Sequence, residues 1–178
     1  MWLVCGWMAV GPGALLRAQP STHELKLVPA NVHWGYYDAA LKPVLHIRSG
    51  DTVRVETMVA RGLQRLRAAG VREEEIPQAL KDVEEAVKER GPGAHPLTGP
   101  VFVEGAEPGD VLEVKILGFE FLHPYGVTGF IPVSGTLPDD FPYARFKLLR
   151  FDLAAGTTDF GHGVTLKLAP FFGSMGVA

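Results

Sequence analysis

The chain has a single cysteine, Cys5, and it lies in the apolar N-terminal run of the 178 residues. A disulfide framework is therefore excluded, as are a Cys-based zinc site and a catalytic thiol in the folded body. Lysine and arginine form no cluster, and the formal net charge is −3. That balance argues against a protein that tracks nucleic-acid phosphates. Long apolar runs are missing as well. The best candidate, MWLVCGWMAVGPGALL, is short and interrupted by glycine and proline, which makes it a poor membrane span. What remains is the composition of a globular protein, 47% hydrophobic and 21% charged, with enough length for one domain around a core.

Residues 1–20 turn from apolar to polar after Leu16 and resemble the apolar and cleavage regions of a secretory signal peptide, with the small Ala18 near the end. No basic residue precedes the run, and ALLRAQ is a poor cleavage site; a start placed upstream of or inside the true beginning is the other reading. The expectation is a periplasmic or extracellular protein if the leader is a signal peptide, and a cytoplasmic one otherwise.

From Val44 onward the pattern is mostly that of strands. VLHIRSGDTVRVETMV reads as two strands around Ser49-Gly50-Asp51, with Val53, Val55, Thr57 and Val59 alternating on one face. EPGDVLEVKILGFEF repeats the frame, with Leu112, Val114 and Ile116 alternating after Gly109-Asp110. A recurrent strand start, with glycine and aspartate serving the turn, explains the repeat better than duplicated chemistry. RFKLLRFDL and GVTLKLAPFF are further strand candidates. One helix stands out in EEEIPQALKDVEEAVKERGPG. Ile76, Leu80, Val83 and Val87 form its apolar stripe, Pro77 suits the first turn, and Gly91-Pro92 ends it. The basic run RGLQRLRAAGVR before it has Leu63 and Leu66 at helical spacing but breaks at Gly70, and reads as a surface excursion. The expected fold is mainly β, a sandwich or barrel-like body with one inserted amphipathic helix.

Six histidines are the natural candidates for chemistry, yet none belongs to an H-x-H or H-E-x-x-H pair. His46 reads as an ordinary strand residue and His162, between glycines, as a turn residue. His33 precedes Trp34, Tyr36, Tyr37 and Asp38 in a mixture that suits a pocket rim, and equally a satisfied histidine beside a turn aspartate. His95 lies in a loop stiffened by prolines, which would hold a ligand well. Glu104 follows the apolar Val101-Phe102-Val103, where partial burial would raise a carboxylate's pKa toward that of a general base. No G-x-S-x-G elbow, no Gly/Ser-rich strip for a Ser-Ser-Lys triad, no G-x-G-x-x-G and no P-loop occurs. If this body hydrolyses anything, a metal-activated water is the route left most open.

Several stretches together are similar to the acetamidase/formamidase family. They are RGPGAHPLTGPVFVEGAEPGDVLEVKI (residues 90–116), DFPYARFKLLRFDL (140–153) and APFFGSMGVA (169–178), with VHWGYYDAALKPVLHIRSGDTVRVET in addition. The resemblance implies a mainly β enzyme that hydrolyses short aliphatic amides to ammonia and a carboxylate. It further implies dependence on a divalent ion, zinc in the first place and calcium as the alternative. Carried over by motif, His33, Asp38 and His95 are expected on or near the metal, and Glu104 as the base or a further ligand. Family members continue past PFFGSMGVA to a G-D-G-H-A-x-Q-G-D-G-E run that does not occur in this chain. Residues 21–178 are thus expected to be the N-terminal part of such a domain, inactive alone, and a homo-oligomer when full length. A β-rich module that binds a small ligand without turnover is the competing expectation.

Overall fold

The computed structural model describes residues 19–177, so the expected signal peptide up to residue 18 lies outside the described residues. In chain order the elements are β1 (Thr22–Leu25), β2 (Val32–Trp34), β3 (Leu45–Ile47), β4 (Thr52–Val55), α1 (Gly62–Ala68), α2 (Gln78–Ala86), β5 (Pro96–Thr98), β6 (Val101–Val103), β7 (Tyr125–Phe130), β8 (Arg145–Asp152), β9 (Thr157–Gly161) and β10 (Val164–Lys167). The body is mainly β, as the pattern predicts. Among the described residues, its sheets are sandwich-like and none closes into a barrel.

Three two-stranded ladders bring the first half together. β1 runs parallel to β4, β2 antiparallel to β5, and β3 parallel to β6. The second half is an antiparallel meander in the order β10-β9-β8-β7. The Ser49-Gly50-Asp51 turn works as its composition suggests. Asp51 accepts the Arg48 amide at 2.9 Å and reaches across to the Ser21 amide at 2.9 Å, so one carboxylate ties the β3–β4 turn to the start of β1. At the far end of the meander His162 (φ 53) turns the chain between Gly161 and Gly163, again as expected.

Helix α2 forms where the stripe predicts it. Leu80 and Val83 are buried in the core with Ile76, and Val87 packs against them. Pro77 occupies the N-cap, and Arg90 folds back so that its guanidinium donates to the carbonyls of Glu84 and Val87, two of the acceptors a helix end leaves free. The basic run before it departs from expectation. It forms a second helix, α1, whose Leu63 and Leu66 lie in the core beside Leu27, Val32 and Tyr125. Arg67 faces outward, Arg65 is partly buried and the leucines point inward, so the surface reading holds for only one side of the helix.

The larger departure is residues 111–122. The alternating pattern is present, but no ladder forms among the described residues, and Val111, Leu112, Val114, Ile116 and Leu117 stand exposed. A strand is stabilised by its ladder partner, and among the described residues this segment has none, although Glu120 pairs with Arg54 of β4. Phe119 lies tilted against Phe172 and Phe121 meets Phe151 edge-on. The face of β10 is open too, with Val164 and Leu166 exposed.

Candidate functional site

The glycine-rich loop after α2 lies directly against the end of β2. Gly91 donates to the Trp34 carbonyl at 2.8 Å, Gly93 to Gly35 at 3.1 Å, and Gly35 to the His95 carbonyl at 2.9 Å. Only glycines allow this approach. A Cβ on Gly35 would meet the carbonyl oxygens of Gly91 and Gly93 at 2.8 Å, and Gly35 itself has φ +84. The consequence is positional. His33 pairs with Leu97 in the β2–β5 register, and His95 lies opposite Gly35, so the two histidines are diagonal neighbours across one ladder. Ordinary sheet geometry sets such neighbours roughly 7–8 Å apart.

His33 is the more constrained of the two. Its ring meets Tyr36 edge-on at 5.9 Å, and its Nδ1 is buried with no hydrogen-bond partner. Burial lowers its pKa, opposed in part by a hydrogen bond with the Gly99 backbone. The imidazole therefore stays neutral near pH 7 and keeps an unspent nitrogen. His95 is exposed. Asp38 is exposed as well, and its Oδ1 accepts the Ala40 amide at 2.8 Å, which is the geometry of an Asx turn.

Glu104 lies elsewhere, at the end of β6. Its backbone amide extends the β3–β6 ladder by donating to the Ile47 carbonyl at 2.8 Å, and its side chain accepts from Arg48 Nε at 3.0 Å. It is half exposed, not the part-buried carboxylate expected of a base. Around it is an open cleft of about 240 Å³ lined also by Ser21, His23, His46, Arg48 and Asp51. Ser21 Oγ and Asp51 Oδ2 both approach His23 Nε2, at 2.9 and 3.0 Å. Because both meet the same ring nitrogen, the trio cannot pass a proton from serine through histidine in the manner of a catalytic triad. The Asp51 carboxyl is held far below its usual range, first by the Ser21 and Arg48 amides and then by His23, and so remains an anionic clamp for the turn.

The structure thus brings His33 and His95 to one ladder, leaves Asp38 in a turn, and puts Glu104 in a separate cleft. Among the described residues no three histidine, cysteine, aspartate or glutamate side chains converge as a metal site would require. Within the described residues the four expected side chains do not converge on one point; of them, His33 has a buried nitrogen free to give.

One residue escaped the sequence reading. His123 is half buried, lies tilted against Tyr125 with ring centroids 4.1 Å apart, and has a buried Nδ1 without a partner; burial lowers its pKa. Its neighbours in sequence, proline and tyrosine, carry no motif that would have singled it out.

Comparison with known proteins places these features. Residues 29–178 match the model of the acetamidase/formamidase family. The fold is similar to that of a recombinant predicted acetamidase/formamidase from the thermophile Thermoanaerobacter tengcongensis, with TM-score 0.61 and 24% identity over 84% of this chain and 43% of that one. It is also similar to the acetamidase of Bacillus halodurans, with TM-score 0.51 and 23% identity over 81% of this chain and 42% of that one. The chain therefore spans less than half the length of these solved structures. No curated protein matches it.

Proposed function

The chain belongs to the acetamidase/formamidase family, and from that premise we propose that it serves the hydrolysis of short linear amides, of the formamide or acetamide type, to ammonia and a carboxylate. One observation carries the reading: the family match over residues 29–178 contains His33, Asp38, His95 and Glu104. The geometry supports it at His33 and His95, which a glycine contact holds as diagonal neighbours.

In such a reaction the oxygen of water bonds to the carbonyl carbon, the C–N bond breaks, and the nitrogen gains a proton to leave as ammonia. His33, neutral because it is buried, keeps the Nδ1 lone pair free to act as a donor. Glu104 is proposed as the proton carrier, once Arg48 releases it. The His33 and Tyr36 rings, which meet edge-on, offer the apolar side on which a small acyl group would rest. His33, Asp38 and His95 are proposed as this chain's donors to a divalent ion, zinc ahead of calcium, which would polarise the amide carbonyl when bound. Because those donors do not converge within residues 19–177, residues 1–178 alone are proposed to be inactive.

The test is ammonia release from formamide and acetamide by residues 1–178 and by the product of the uninterrupted reading frame that contains them, each with and without added zinc or calcium. Release by the latter, abolished by His33→Ala together with loss of a near-stoichiometric divalent ion, supports the reading. Uptake of amide with no ammonia from either protein would make this a binding module and remove the hydrolase. Turnover by residues 1–178 alone would remove the need for further chain. Export and homo-oligomer formation are proposed alongside, on the apolar leader and the exposed strand faces respectively. N-terminal sequencing of the mature protein and sedimentation are their checks; an intact leader or a monomer would refute them.

A further inference from the structure

We propose that the groove between α1 and the β7–β8 hairpin binds a monocarboxylate with a small apolar or aromatic body. This inference does not depend on the amidase reading. Arg61, Gln64 and Arg65 from α1 and its N-terminal flank face Phe130, Ile131 and Phe146 across a groove of about 350 Å³, a size in the range of small-ligand sites. No aspartate or glutamate lines it.

The charge in this groove has nothing to answer it. Arg67, Arg72, Arg90 and Arg150 each pair with a glutamate, whereas Arg61 and Arg65 pair with no carboxylate among the described residues. Arg65 goes further, for its Nε is buried and has no acceptor at all. A buried donor left unsatisfied is costly, and a carboxylate in the groove that draws the Arg65 guanidinium outward would recover that cost as a charge-assisted hydrogen bond. The carboxylate nearest the helix start, Glu84, is engaged by the Leu63 amide at 3.2 Å and by Arg90 at 2.9 Å.

The base beneath the two arginines is rigid. Arg61 donates its backbone amide to the Ala94 carbonyl at 2.7 Å, Gly62 lies tight against the Trp34 ring, and Leu63 and Leu66 are anchored in the core. Arg61, at the N-cap with φ 67, and Arg65, within the helix, both line the groove, as two donors for one anion require. The opposite wall decides the ligand class. Phe130, Ile131 and Phe146 offer surface that an inorganic anion cannot use but an apolar body can. A carboxylate meets the guanidinium fork in plane and leaves that body free to lie on the rings.

Calorimetric titration of the chain with benzoate, benzyl alcohol and inorganic phosphate tests this. Saturable benzoate binding is expected, with benzyl alcohol and phosphate each weaker by about tenfold or more, since each lacks one half of the match. Arg65→Gln and, independently, the exposed Arg61→Gln should each weaken benzoate by about tenfold, while Arg67→Gln, whose partner is Glu73, should leave it unchanged. Benzoate that fails to saturate overturns the proposal. So does binding that survives both Arg61→Gln and Arg65→Gln, or phosphate bound as tightly as benzoate.

Discussion

Replacing Gly93 with alanine should destabilise the chain by about 1–3 kcal/mol through sterics alone. The new Cβ would stand 2.6 Å from the Gly35 carbonyl oxygen and 3.0 Å from the Gly35 Cα, where ordinary contact begins at 3.4 Å. The neighbours are backbone, so no side chain can swing aside and the loop must retreat by several tenths of an ångström. Three hydrogen bonds depend on that approach: Gly91 to Trp34, Gly93 to Gly35, and Gly35 to His95. Each contributes about 0.5–1.5 kcal/mol net, and loosening three without losing all of them gives the quoted range. Two companions separate the causes. Gly70 has φ +83 with nothing within 4 Å, so Gly70→Ala tests backbone strain alone and should cost about 1 kcal/mol. Gly35 has both φ +84 and the carbonyl contacts, so Gly35→Ala should cost more than either. Urea unfolding followed by far-UV circular dichroism gives all three values on one scale. A Gly93→Ala protein as stable as the parent, or Gly35→Ala no worse than Gly70→Ala, would show that the glycine contact does not hold the His33–His95 ladder together.

Leu80→Ala should cost about 2–5 kcal/mol, because Leu80 is 1% exposed and packed among Val83, Ile76 and Leu66; a loss below 1 kcal/mol in the same urea assay would mean that α2 is not part of the core. Stability should also fall as pH drops below about 6.5. His33 and His123 are lowered in the folded state, chiefly by burial, so the unfolded chain binds protons that the folded chain refuses. His123→Gln should flatten part of that slope, and a midpoint unchanged between pH 7.5 and 5.5 would contradict it. A second acid limb lies lower. Glu75 is held at about 2 by Arg150 and then Arg72, so its contribution is complete above its ordinary 4.5 and is lost as pH falls toward 2. Asp51, Glu56 and Glu73 are lowered too, so Glu75→Gln should shrink that limb rather than abolish it and leave the histidine slope alone; an acid limb of undiminished size in the variant would assign it to the other groups.

Consecutive residues carried the local structure, and long-range pairing was the part they could not show. The stripe Ile76, Leu80, Val83 and Val87 states a helix and its buried face at once, because both follow from spacing along one element. In α1 the same spacing at Leu63 and Leu66 was outweighed by the arginines around them, although a helix on a core edge needs both. Residues 111–122 show the reverse fault. Alternation there says that the segment can be a strand, but pairing is a property of two segments, and the partner is not among residues 19–177. The candidate site follows the same division. His33 and His95 were each legible as residues in a stiff or aromatic setting, but nothing local joins positions so far apart in the chain. What joins them is the contact of Gly91 and Gly93 with Gly35, which any side chain would block. In G-P-G-A-H, then, the informative residues were the glycines that look like loop filler, because their missing side chains let His95 reach the ladder that holds His33.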